Sequence, residues 1–189
     1  MLRGKLNAVE FPSGPENVNF NSLLAGRRLP YLLGALFCAG LIAFALHLQY
    51  QQGEDPCPLC IFQRVAVIAS GCVFLLAFLH GPRNRARSLY AGLLLLSNGV
   101  GAAIAARHVW IQHLPKDQVP ECGPGLSYLL DTFPVMAVLR KVLSGSGECA
   151  TVGWTFLGFS IPEWTLLCFV IMMIWGLLLA RRSATSTQI

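Results

Sequence analysis

Two cysteines, Cys57 and Cys60, are separated by two residues just before a long apolar stretch of the chain. Thiols this close in sequence can ligate a metal ion or can make and break a disulfide bond. If the apolar stretch is a helix, Cys60 lies near its N-terminus, where the helix dipole favours a thiolate. This pair is therefore the first candidate for chemistry.

Arg64 follows Cys60 by one helical turn and lies on the same face of the predicted helix. A guanidinium in a membrane helix is costly and usually has a function. Arg64 could stabilise a Cys60 thiolate or polarise an oxygen of a bound ligand. Alternatively, its side chain simply extends to the membrane interface.

Two further cysteines, Cys122 and Cys149, enclose residues 123–148 and have glycines close by. Flexible glycines beside both thiols would suit a disulfide that another protein must reach. The alternative is a static disulfide that stabilises the loop by about 3 kcal/mol. The other cysteines lie in apolar runs and are expected to pack as small hydrophobic side chains: Cys38, Cys72 and Cys168.

The chain has 189 residues, of which 54% are hydrophobic and only 12% charged, too apolar a composition for an ordinary soluble domain. A helix of about 19 residues spans about 28 Å, close to the hydrocarbon thickness of a bilayer. Backbone groups that meet no water must be satisfied within helices. We predict an all-α membrane protein, a bundle of four transmembrane helices at about residues 31–50, 61–79, 88–106 and 162–180.

The basic residues are distributed unevenly around these helices. Most of the 14 lie in the two tails and in the loop between the second and third helices, so the positive-inside rule places both termini in the cytoplasm. They form no stripe that would indicate nucleic-acid binding. We expect a four-helix domain over residues 29–182, tails at 1–28 and 183–189, and outer loops at about 51–60 and 107–161.

The second outer loop contains an amphipathic pattern between Leu126 and Leu143. Asp131 and Pro134 interrupt the pattern, so the segment cannot span the membrane, and we expect it to lie along the outer interface. Small residues at every fourth position of the first and third helices would permit close helix packing, or they recur by chance in a sequence rich in Ala and Gly: Ala35, Ala39 and Ala43, and Ser97, Gly101 and Ala105.

His108 falls at the expected outer end of the third helix, on the same level as the first thiol pair. It could hydrogen-bond a ligand carbonyl or move a proton, or it could serve only as a polar anchor at the interface. Trp110, Trp154 and Trp164 predict an aromatic belt at that interface.

A metal site is the main alternative for the cysteines. A structural zinc site usually combines two paired-ligand motifs, whereas this chain has one C-x-x-C and two isolated outer cysteines. It has no C-x-x-C-H motif for covalent haem. We therefore predict that no metal is bound.

Four features in this order resemble the DsbB family, the bacterial inner-membrane disulfide bond formation proteins. They are C-P-L-C-I-F-Q-R at residues 57–64, R-H-V-W-I-Q at 107–112, the Cys122 and Cys149 pair, and W-T-F-L-G followed by I-P-E-W at 154–164. The resemblance covers about residues 29–182.

The resemblance implies a quinone-dependent protein-thiol oxidoreductase of the bacterial inner membrane, with periplasmic outer loops. A soluble, thioredoxin-like DsbA protein would attack a Cys122–Cys149 disulfide and form a mixed disulfide with Cys122. Cys149 would exchange with a Cys57–Cys60 disulfide. The Cys60 thiolate would contact a quinone (ubiquinone or menaquinone) near Arg64 and His108, and electrons would leave as quinol to the respiratory chain.

Two other functions remain open from the sequence. One is a four-helix thiol enzyme that works in the opposite direction on a quinone-like substrate, as vitamin K epoxide reductase does. The other is a membrane scaffold whose outer loops are only stapled by disulfides.

Overall fold

The computed structural model describes residues 28–53, 56–83, 85–115, 117–119, 126–145 and 147–181. Within these residues, four helices are long and apolar enough to cross a membrane. They are α1 (Leu29–Gln52), α2 (Pro58–His80), α3 (Arg85–Gln112) and α7 (Ile161–Arg181). The predicted four-helix membrane bundle is therefore confirmed.

The helices extend beyond the apolar runs from which they were predicted. α2 begins at Pro58, so Cys60 lies inside its first turn rather than in the preceding loop. α3 continues past Ala106 to Gln112. The apolar run of the sequence ends before Arg107 and His108. The helix continues through them because both side chains hydrogen-bond to the outer loop.

Cys57 itself caps the N-terminus of α2. Its backbone is extended, and its Sγ accepts a hydrogen bond from the backbone N–H of Cys60 at 3.4 Å. Pro58 follows at the first helical position, where a missing N–H costs nothing. The C-x-x-C sequence thus starts the helix as well as supplying the thiols.

The helices pack in the order α1 on α2, α2 on α3, and α3 on α7. On α3 the predicted small residues do lie in the core, since Gly101 and Ala105 are buried. On α1 the prediction holds only for Ala35, which packs against the core; Ala39 and Ala43 are exposed, and Gly34 and Cys38 provide the rest of the packed face.

A buried polar cluster joins α2 to α3 deeper in the bundle. The Ser70 hydroxyl lies 2.9 Å from the Ser97 hydroxyl and 3.1 Å from Oδ1 of Asn98. The Asn98 amide in turn donates to the Leu94 carbonyl. Each polar group therefore has a partner, as the absence of water in a bilayer requires.

The second outer loop contains α4 (Leu126–Thr132), α5 (Val135–Ser144), α6 (Gly147–Ala150) and an antiparallel hairpin of β1 (Thr155–Phe156) and β2 (Phe159–Ser160). The amphipathic segment is split at Pro134, as its sequence suggested. α5 buries Val138 and Val142 and leaves Val135 and Met136 exposed. Its position at the membrane interface stays a prediction.

The close approach of α3 and α7 at Gly101 yields a test of the packing. A Cβ added at Gly101 would overlap the ring of Phe169, whereas one at Gly99 would meet open space. Gly101→Leu should destabilise the bundle by about 1–3 kcal/mol through overpacking. Thermal unfolding of the purified protein in detergent should show a lowered midpoint for Gly101→Leu and little change for Gly99→Leu. Equal midpoints for the two variants would contradict this packing.

Candidate functional site

The thiols of Cys57 and Cys60 meet in the first turn of α2. Their sulfur atoms lie 3.3 Å apart, with Cys57 buried and Cys60 partly buried. A disulfide bond is about 2.05 Å long, so the structure describes a pair of thiols in contact. The predicted Cys57–Cys60 disulfide stays a prediction, and the two sulfurs are close enough to form it with a small shift.

His108 of α3 lies directly against this pair. Its Nε2 is 3.8 Å from the Cys57 sulfur, and its Nδ1 is 3.9 Å from the Cys60 sulfur. The ring is almost fully buried. Among the described residues these three side chains form the one group whose potential metal-ligating atoms all lie within 4.8 Å.

Both ring nitrogens of His108 have shorter contacts than those to sulfur. Nε2 lies 3.1 Å from the backbone oxygen of Cys149, and Nδ1 lies 3.2 Å from the amide nitrogen of Gln63. A carbonyl oxygen can only accept, so Nε2 carries the proton and donates it. Nδ1 is then unprotonated and accepts from Gln63. A metal ion would have to displace one of these hydrogen bonds. The arrangement therefore fits a proton-accepting role of His108 better than a role as a metal ligand.

Cys149 lies on α6 and belongs to the same buried apolar cluster as Cys57. The structure thus brings together three of the predicted site residues on different elements: Cys57 and Cys149 in this cluster, with His108 bonded to the Cys149 carbonyl. Cys122 lies outside the described residues, so the predicted Cys122–Cys149 disulfide and the role of Cys122 stay predictions.

Arg64 is directed towards α1. Its guanidinium donates to Oε1 of Gln49 at 2.6 Å and to the Ala45 carbonyl at 3.2 Å. Both of these hydrogen bonds join α2 to α1. Protein groups therefore hold Arg64 beside the thiol site, rather than leaving its side chain to extend freely to the interface.

A cavity of about 380 Å³ opens beside the thiols. Cys60, Arg64 and His108 contribute to its wall, and most of the remaining lining is apolar. Side chains of both α1 and α7 line it, among them Leu41, Phe44, Pro162 and Cys168. Its size lies within the usual range for small-molecule sites.

Aromatic side chains of the β-hairpin cover one side of the cavity. Trp154 stacks on Phe156 and meets the ring of Phe44 edge to face, with ring centroids 5.9 and 5.7 Å apart. Trp164 donates from its indole nitrogen to the Phe156 carbonyl. Trp154 and Trp164 thus line the cavity, whereas Trp110 is largely exposed, as an interfacial residue would be.

Several residues of the site were not predicted from the sequence. Gln63 and Gln49 partner the predicted His108 and Arg64, but an isolated glutamine carries no sequence signal. The motif S-x-x-E at Ser160 could have been found, since it is typical of a helix start. There Glu163 accepts from the backbone N–H and the hydroxyl of Ser160.

A four-helix membrane bundle that holds a C-x-x-C thiol pair against a histidine defines the class of this protein, a membrane thiol oxidoreductase. The chain matches the family model for "Disulfide bond formation protein DsbB" over residues 27–179. It therefore belongs to the DsbB family.

Curated relatives support this assignment. The chain is 50% identical to disulfide bond formation protein B of Hahella chejuensis over 156 residues, which is 82% of this chain and 94% of the relative. It is 49% identical to the protein of that name from Chromobacterium violaceum over 155 residues, covering 82% and 93%. The family resemblance and the link to disulfide bond formation are thus confirmed.

Arg107 and His108, adjacent on α3, hold the outer loop at two points. Arg107 donates to the carbonyls of Leu143 and Ser144 at 3.3 and 3.1 Å. These groups end α5, where the helix dipole favours a cation. Since His108 holds the Cys149 carbonyl, the pair fixes the loop between α5 and α6 relative to the thiols.

Arg107→Gln should loosen this loop. Losing charge-assisted bonds of about 1–2 kcal/mol corresponds to roughly 5- to 30-fold faster opening. Hydrogen exchange followed by mass spectrometry should show faster exchange across residues 143–150 and unchanged exchange in α2. Arg140→Gln, which changes an exposed arginine on α5, is the matched control. Equal exchange in the two variants would show that Arg107 does not hold the loop.

Proposed function

We propose that this chain reoxidises a periplasmic DsbA-type dithiol protein and passes the two electrons to membrane quinone. The observation that carries the proposal is the position of Cys60, Arg64 and His108 on the wall of one apolar cavity. Thiol oxidation and quinone reduction can then occur at one place in the membrane.

The cavity suits a quinone by its shape and its donor groups. Apolar and aromatic side chains can contact a flat ring, and Arg64 can donate to a carbonyl oxygen. The cavity also lies between α1 and α7, the two ends of the packing series, so an isoprenoid tail can pass between them into the lipid. When bound, a quinone (ubiquinone or menaquinone) accepts two electrons and two protons and leaves as quinol.

The thiol steps follow from the positions of the cysteines. A partner thiolate attacks Cys122 of a Cys122–Cys149 disulfide, which forms a mixed disulfide and releases the Cys149 thiolate. That thiolate attacks Cys57 of a Cys57–Cys60 disulfide and releases the Cys60 thiolate at the cavity. The partner's second thiolate then resolves the mixed disulfide and releases Cys122. The Cys122 thiolate attacks Cys149 of the Cys57–Cys149 disulfide, which re-forms Cys122–Cys149 and leaves Cys57 and Cys60 reduced. Cys57 and Cys60 would re-form their disulfide by giving two electrons to a bound quinone. The shared burial of Cys57 and Cys149 in one cluster supports the attack of Cys149 on Cys57.

His108 can accept a proton from the Cys60 thiol and later release it. Its unprotonated Nδ1 lies 3.9 Å from the Cys60 sulfur, a distance that a small rotation of the thiol can shorten. The proton taken there stays beside the cavity. Two thiols of the partner thus become a disulfide, and their two protons and two electrons end on the quinol.

A quinone is needed because thiol exchange alone is uphill. Structural disulfides have potentials below roughly −300 mV and DsbA lies near −120 mV, a difference of about 180 mV or about 8 kcal/mol for two electrons. A stronger terminal oxidant must therefore complete each cycle. The names of the relatives, which refer to disulfide formation, favour this direction over that of vitamin K epoxide reductase.

The same proposal places the protein in the bacterial inner membrane with both termini in the cytoplasm. Arg83, Arg85 and Arg87 lie at the opposite end of α2 and α3 from the thiol site. The positive-inside rule then directs the thiols and the β-hairpin to the periplasm, where disulfides persist.

Cys60→Ser should abolish quinone reduction by the purified protein supplied with a reduced DsbA-type partner, because the thiol at the cavity is lost. Absorbance of the quinone measures the reaction. Cys72→Ala is the matched control, since Cys72 is an exposed thiol of the same helix. Full turnover in Cys60→Ser would overturn the proposal, and so would disulfides that never cycle in the unsubstituted protein, as in a stapled scaffold.

Cys122→Ser should abolish a trapped mixed disulfide with a DsbA-type partner that keeps only its attacking cysteine. Non-reducing electrophoresis detects the complex. Cys149→Ser lacks the disulfide that the partner attacks, so its complex through Cys122 should form once an added thiol oxidant removes the two electrons. A complex that requires Cys149 but not Cys122 would reverse the two roles.

A further inference from the structure

Gln63 is a buried amide in a transmembrane helix, one turn after Cys60. Burying an amide in an apolar medium is costly unless it is hydrogen-bonded. Its amide nitrogen lies 3.2 Å from Nδ1 of His108 on the neighbouring helix. The contact with His108 is therefore what compensates for burying the Gln63 amide.

His108 cannot change its other bond when it gains a proton. Nε2 donates to the carbonyl of Cys149, and a carbonyl accepts in either protonation state of the ring. All of the change falls on Nδ1, which is an acceptor in the neutral ring and a donor in the protonated one. The partner of Nδ1 must therefore be able to reverse its role.

We propose that Gln63 is a positioning residue that holds the His108 ring in both of its protonation states. An amide presents a donor and an acceptor of nearly the same shape. In the neutral ring Nε2 of Gln63 donates to Nδ1. After the amide turns over, Oε1 of Gln63 accepts from the protonated Nδ1. The ring then stays in place beside the thiols throughout the reaction.

This inference rests on the proposed function and adds one step to it. The Cys60 thiolate that the exchange releases takes up one of the partner's two protons. This S–H bond then breaks, the proton bonds to Nδ1 of His108, and the electron pair stays on sulfur as the thiolate. A bound quinone would take up this proton on reduction, and His108 and Gln63 would then return to their first arrangement. Gln63 itself carries neither proton nor electron.

The groups that face His108 come from two elements, α2 and α6. Cys57 and Cys60 approach it from α2, and the Cys149 carbonyl approaches from α6. Arg64 and Glu148 line the same cavity. Gln63 makes a shorter contact with Nδ1 than Cys60 does, and its amide can both donate to and accept from Nδ1.

The test compares Gln63→Leu and Gln63→Glu in the full-length protein in nanodiscs. Nitrogen-15 chemical shifts of His108 show which ring nitrogen carries a proton. The unsubstituted protein should show the ring protonated at Nε2 alone. Gln63→Leu should shift the Nδ1 resonance, because Nδ1 then loses its N–H donor, while the Cys149 carbonyl keeps the proton on Nε2. Gln63→Glu should raise the share of the doubly protonated ring, because a carboxylate can only accept.

Turnover with dithiothreitol and a short-chain ubiquinone provides the second readout. Gln63→Leu should lower kcat by about tenfold with little change in KM for the quinone, since general acid–base catalysis is impaired but the cavity is intact. Gln63→Glu should also lower kcat, because a ring that already carries both protons cannot accept the proton of Cys60. Ser70→Ala removes a buried hydrogen-bonding group of the same helix away from His108 and is the control for folding.

An unchanged His108 spectrum in Gln63→Leu would overturn the inference, even if turnover fell, because the residue would then be only structural. A changed spectrum with unchanged turnover would also overturn it. If the His108 spectra change as expected but the protein reduces no quinone, the proposed function is refuted. The contact between Gln63 and His108 is then still established.

Discussion

The hydrogen bonds of His108 connect the parts of the chain that must act together. One ring nitrogen bonds Gln63 of α2, the helix that carries Cys57 and Cys60, and the other bonds the backbone at Cys149 in the outer loop. In a membrane such bonds are obligatory rather than optional, because no water is available to replace them. Among the residues that the structure describes, every buried side-chain nitrogen and oxygen has a partner. The requirement that polar groups be hydrogen-bonded thus also brings the thiols, His108 and the loop into one site.

The need to hydrogen-bond every buried polar group also determines which helix holds each group around the cavity. Arg64 is held by α1, the thiols and Gln63 by α2, His108 by α3, and the aromatic cover by the β-hairpin before α7. Each polar group stands near the outer ends of the helices, while the deeper bundle is closed by small residues and by the Ser70 and Asn98 contact. A bundle with a polar outer end suits the proposed reaction, in which a soluble protein delivers electrons and a lipid-soluble carrier removes them.

Hydropathy was sufficient to predict the four helices, because a membrane permits no other structure for such runs. It misplaced the end of α3, since Arg107 and His108 are polar yet helical, and their partners lie in a distant loop. The types and spacing of Cys57, Cys60 and Arg64 indicated a redox site and a neighbouring cation. They could not show that Arg64 bonds α1 or that Gln63 bonds His108, because both contacts depend on how the helices are rotated against one another. Trp154 is a further example. Its residue type predicted a position at the membrane interface, but the hairpin places it at the cavity.

The most direct measurement of the central claim is the stoichiometry of a single turnover. The purified protein with one equivalent of bound quinone is mixed with a reduced DsbA-type partner, and quinol and partner disulfide are measured together. The account predicts one quinol for each disulfide formed in the partner, with the four outer cysteines returned to their starting state. Partner oxidation without quinol, or quinol formed without partner oxidation, would contradict it.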